Sequence, residues 1–94
     1  MQNDDVKRAF ESAASDVLMK ALGGTSAAAI LYIANPRDAL EKPEEFSKAL
    51  KELYDQAAEM LLVQIVDDFY QKLGLKRNPG SDFVSSVREA IPKL

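Results

Sequence analysis

Gly23-Gly24-Thr25-Ser26-Ala27-Ala28-Ala29-Ile30-Leu31-Tyr32-Ile33-Ala34 is the stretch on which the fold turns. Two glycines can adopt the left-handed conformation that ends a helix. Thr25 or Ser26 is a natural N-cap for the next one, and eight apolar residues then follow in a row. A short helix that is apolar on every side has no polar face to give to water. It therefore predicts burial in a core or a subunit interface, with Ile30, Leu31, Tyr32 and Ile33 as packing anchors.

On either side of this stretch apolar residues recur at three and four rather than at two, the period of helices. Ahead of it, Val6, Ala9, Phe10, Ala13, Val17, Leu18, Ala21 and Leu22 predict a first helix from about Asp4 to Leu22, closed by Gly23 or Gly24. Asp4 and Asp5 sit where the positive end of the helix dipole favours carboxylates. Behind it, Asn35-Pro36 stops the apolar helix, because proline removes a donor and restricts the residue before it. A brief turn from Pro36 to Leu40 fits next, with Pro36 at its first position.

The thirty residues from Glu44 to Leu73 contain no Gly and no Pro. Phe46, Ala49, Leu50, Leu53, Tyr54, Ala57, Met60, Leu61, Val63, Ile65, Phe69 and Leu73 keep a helical period, with Pro43 at the start and Gly74 at the stop. One helix of that length reaches about 45 Å, more than a domain of this size needs, given a radius of gyration of about 12–13 Å. Either it breaks near Asp55-Gln56 or it projects and packs on another chain; the expectation is one continuous or gently bent helix, on which Met60 and Leu61 join the packing anchors. A last helix begins after Asn78-Pro79-Gly80, capped by Ser81 or Asp82, with Phe83, Val84, Val87 and Ile91 as its apolar face and Pro92 at its end. The predicted fold is all-α: one domain over residues 1–94, a compact bundle of about four helices with one long helix near residues 43–73.

Composition narrows the function classes. At 47% apolar and 29% charged, the 94 residues suit one ordinary globular domain. There is no Cys and no His, which removes thiolate nucleophiles, imidazole bases and the usual zinc and iron ligand sets. No catalytic residue, metal site or cofactor is expected. The acidic start, Met1 to Asp5, is unlike a signal peptide, and the apolar run is half of what a membrane span needs. A net charge of −3 speaks against gripping phosphate backbones. The chain is expected to be soluble and cytoplasmic, with no nucleic acid and no membrane among its partners.

Each remaining candidate site has a plainer explanation. Gly23-Gly24-Thr25-Ser26 ahead of a helix resembles an anion cradle, but it lacks the lysine and preceding strand of a P-loop; a helix corner accounts for it. Asp55, Glu59, Asp67 and Asp68 could form a loose carboxylate site for a hard cation, yet a solvated helix face suffices. Glu44–Lys48, Lys48–Glu52 and Asp68–Lys72 stand at i,i+4 and support a helix. Lys72, Lys76 and Arg77 are cations at a helix C-terminus, where the dipole favours them. Tyr32 and Tyr54 are the polar aromatics most able to touch a ligand between helices, and both are otherwise core residues with a wet tip.

Gly23 to Tyr32, Asn35-Pro36-Arg37, Pro43-Glu44-Glu45-Phe46 and Tyr70-Gln71-Lys72-Leu73-Gly74-Leu75 together resemble a family of small archaeal all-helical domains of unknown function, the nitrosopumilus-output type. The likeness runs from the first helix to Leu75 and rests on structural motifs. It implies a helical fold, an archaeal source and an output or regulatory setting, and no catalytic residues come with it. The resulting expectation is a non-enzymatic interaction or regulatory module, homodimeric and joined by an unknown protein partner. The alternative is a sensor that binds a small apolar ligand.

Overall fold

The computed structural model describes residues 3–33 and 39–90. These hold five helices and no strand: α1 (Asn3–Leu22), α2 (Gly24–Ile33), α3 (Pro43–Tyr54), α4 (Gln56–Leu73) and α5 (Phe83–Ala90). The expected stop at Asn35-Pro36, the start of the turn after it, and Ile91 and Pro92 lie outside the described residues; Ala39 to Glu41 do form a turn. The chain is an all-α bundle with extents of 32 × 26 × 21 Å.

α1 places Val6, Phe10, Ala13, Ala14, Val17 and Leu18 in the core. It stops across one residue, Gly23, at φ 85°. The Gly23 amide donates to the Met19 carbonyl at 3.0 Å, closing α1, and the Gly23 carbonyl accepts from Ala27, opening α2. Helical geometry thus resumes at Gly24 rather than after Thr25 or Ser26. One left-handed residue completes the reversal, so the capping position falls on Gly23 and both hydroxyl residues lie inside the helix.

The stretch 43–73 is helical on both sides of one interruption. The expected single long helix breaks at Asp55 into α3 and α4, which is why there are five helices rather than four. Asp55 stands at φ 53°, ψ −121°, and its side chain makes no capping hydrogen bond. Those angles are the i+1 position of a type II′ turn, which glycine normally fills; a side chain there costs about 1–3 kcal/mol. Packing supplies the reason for the break. α3 turns back to bury Pro43, Phe46, Ser47 and Leu50, while α4 buries Ala58, Leu61, Leu62, Ile65, Val66, Phe69 and Tyr70.

The centre is aromatic. All four phenylalanines of the chain meet there, one each from α1, α3, α4 and α5. Phe10 touches Phe46, Phe69 and Phe83 edge-on, with ring centroids 5.5, 5.2 and 6.0 Å apart, and Phe46 stacks on Phe83 at 5.6 Å. Gly74, at φ 70°, closes α4: its amide donates to the Gln71 carbonyl at 3.1 Å, and the Leu75 amide reaches the Tyr70 carbonyl at 3.0 Å. This is the paired closure of a Schellman motif. α5 begins at a side-chain cap, as expected: Asp82 Oδ1 accepts from the Ser85 amide at 2.8 Å.

Candidate interaction surface

α2 supplies the least polar surface. It carries no charged side chain, and α1 is its main neighbour. Because α1 meets only one face of it, Ala27 and Ile30 alone are buried. Leu31 is half-buried, while Tyr32 is 89% and Ile33 62% exposed. Burial of the whole helix within the chain is therefore corrected: one face packs, and the opposite face, with Ala28, Ala29, Tyr32 and Ile33, is open.

The other two expected anchors divide in the same way. Leu61 is buried in α4, but Met60 is 66% exposed. Met60 shares its outward face with Ala57 and Val63, both exposed. Across the break, Leu53 on α3 is 48% exposed, and Met19 near the end of α1 is exposed as well. A helical period records which residues share a face; it does not say which face a neighbour covers.

The tyrosines are distributed otherwise than the ligand reading expects. Tyr32 points its ring into solvent and Tyr54 is half-buried at the end of α3. The tyrosine with a structural bond is Tyr70, whose hydroxyl donates to the Ser86 carbonyl at 2.6 Å and pins α5 to α4. Burial pushes its phenol above the ordinary 10.0, and the charge of Glu89 adds to the shift against an opposing Arg77. A groove of about 430 Å³ runs along α3 beside α5, lined by Glu44, Ser47, Lys48, Lys51, Glu52 and Val84. Neither Tyr32 nor Tyr54 lines it; four of its six lining residues are charged, although the surface they present is largely apolar.

The charged clusters are tied into the fold. Lys72 Nζ stands 2.9 Å from Asp68 and 3.1 Å from Asp16, joining α4 to α1. Its hydrogen bonds to Asp68 and Asp16 hold the ammonium above its ordinary 10.5. Arg77 Nε donates to Asp67 at 2.5 Å, and its Nη1 donates to the carbonyls of Ser81 at 3.0 Å and Asn78 at 3.3 Å, which shapes the loop before α5. Glu44 pairs with Arg88 of α5, and Glu59 with Lys51 across the Asp55 corner at 3.1 Å. Two of the three cations around Gly74 thus face carboxylates of this chain. Among the described residues no three Asp or Glu side chains gather to hold a metal ion, and no helix is long and apolar enough to cross a membrane. No protein-family model matches the chain, and no curated protein or solved structure matches it either.

Proposed function

We propose that this chain is a non-enzymatic helical interaction module that self-associates as a homodimer through the open face of α2 and serves a regulatory, cytoplasmic role. The observation that carries the reading is the contrast between α2 and everything around it. In a chain that is 29% charged, ten consecutive helical residues carry no charge, and their outer face shows Tyr32 and Ile33 to solvent. Two copies of a chain with net charge −3 repel one another, least so where the contact itself is uncharged. Aromatic and aliphatic side chains are also what the buried centre of an interface favours. A second copy therefore suits this face better than a charged partner does. The resemblance to archaeal output domains accords with a regulatory setting.

Light scattering tests the reading directly. A dimer at tens of micromolar that becomes monomeric in Tyr32→Glu or Ile33→Glu supports it. A clean monomer at that concentration overturns it, and a monomer that captures a different protein through α2 replaces the second copy with that partner.

A further inference from the structure

The corner between α3 and α4 is one residue long, and it is strained. Asp55 occupies dihedral angles that suit glycine, without a side-chain cap to compensate. No helix breaker asks for the bend there, since Glu44 to Leu73 holds neither Gly nor Pro. The ion pair that crosses the corner, Lys51–Glu59, is exposed at both ends, and such pairs hold little.

The apolar pattern across the corner is continuous although the helix is not. Phe46, Leu50, Leu53, Ala57 and Met60 are spaced four, three, four and three apart, the seam that a straight helix presents to another helix. The bend cuts this seam in two. Phe46 and Leu50 are buried, whereas Leu53, Ala57 and Met60 lie exposed on either side of Asp55. α4 buries Ala58 and Leu62 instead, and on a straight helix Ala58 would lie about 80° round from Leu50.

We propose that Asp55 is the hinge of a domain exchange between two copies of this chain. Pro43–Leu73 straightens into one helix, α1, α2 and α3 of each copy pack as a unit on α4 and α5 of the other, and Leu53, Ala57 and Met60 of the two copies close on each other across the two-fold axis. A straight helix of that length measures about 46 Å against a longest extent of 32 Å for the folded chain. One copy cannot house it, so the halves must find each other in a second. The exchange rebuilds the same core contacts between copies and changes only the hinge. There it releases the strained backbone and covers three exposed apolar residues. Short strained hinges favour this route to dimers.

The inference rests on self-association but assigns it to a different contact from the α2 face, and the experiment separates the two. The full chain is refolded at high concentration, diluted to tens of micromolar and followed by light scattering. The expected result is a dimer that outlasts dilution, because separating exchanged halves requires global opening. Asp55→Gly, which suits the bend, lowers the dimer fraction by about tenfold or more, in keeping with strain of the usual size. Asp55→Ala, which favours a continuous helix, raises it. Met60→Glu lies on the surface of the single copy, so it leaves the monomer folded and removes the dimer.

Equal dimer fractions in the parent chain, Asp55→Gly and Asp55→Ala overturn the exchange, as does a dimer that dissociates at once on dilution. A dimer abolished by Ile33→Glu and indifferent to position 55 removes the exchange alone and leaves the α2 contact standing. The converse removes the α2 contact and keeps the exchange. Monomers throughout, Asp55→Ala included, overturn both.

Discussion

The chain reverses between helices twice across one residue, at Gly23 and at Asp55, and the two corners are built from opposite materials. At Gly23 the residue suits the angle: φ is 85°, no Cβ is present to resist it, and the flanking amide and carbonyl both close helical hydrogen bonds. At Asp55 the amide and carbonyl close comparable bonds, to the Lys51 carbonyl and from the Ala58 amide, but the residue opposes the angle and packing overrules it. Within a single copy, α3 and α4 both bury their own apolar faces only if the helix folds back, and that gain outweighs a strained backbone. The first corner is set locally. The second is held by what it brings together, so it is the one able to open.

Removing packing on each side of the corners has the largest expected effect. Phe46→Ala takes a ring from the aromatic centre that holds α3 in place and should cost about 3–5 kcal/mol, whereas Ile30→Ala, under α2, should cost about 2–3 kcal/mol. Chemical denaturation measures both, and equal losses would erase the difference in what holds the two corners. Backbone substitutions come next. Gly23→Ala should destabilise by about 1–2 kcal/mol through its left-handed angle alone, because a Cβ there meets nothing within 4 Å. Gly24→Ala, inside the helix and equally uncrowded, should stabilise by about 0.4–1 kcal/mol. If both alanines act in the same direction, Gly23 is not the turning residue.

Asp55→Gly sharpens the comparison from the other side. Release of strain, less the entropy that glycine loses on folding, should raise stability by about 1 kcal/mol, read as a higher denaturation midpoint. No gain would mean that the Asp55 corner is relaxed, as Gly23 is. An effect as small as that of Gly24→Ala belongs to the side-chain cap of α5, where local chemistry does what Asp55 fails to do. The Ser85 amide, with its hydroxyl, holds the Asp82 carboxyl below its ordinary 3.8. Its stabilisation is therefore complete above that value and is lost as the pH falls through the lower folded value. Asp82→Ala should cost about 0.5–1 kcal/mol near neutrality and nothing in strong acid, a difference visible in paired thermal melts.

The candidate surface was only partly legible. Ile30 and Leu61 are buried as the pattern requires, but Tyr32, Ile33 and Met60 face outward, since an apolar period identifies a face and not its cover. Tyr70 went unsingled among the three tyrosines because its partner, the Ser86 carbonyl, is sixteen residues away and no local spacing announces it. Arg77 read as a helix-end cation, whereas its role in shaping the loop depends on Asp67 and on carbonyls that the turn itself creates.

By itself the sequence determined what depends on neighbours along the chain. Helical period, the proline start at Pro43, a glycine stop at Gly23 or Gly24, the stop at Gly74 and a cap at Ser81 or Asp82 are contacts within a turn or two, so residue type narrows each to one or two positions. Where Pro43–Leu73 divides is a different kind of question. Apart from the weak helix preference of Asp itself, no local signal across Asp55 asks for a break, and what favours the bend is the burial of Leu50 and of Phe46, the latter against Phe10 and Phe83. That burial joins Phe46 to residues thirty-six and thirty-seven positions away, so the tertiary structure decided it.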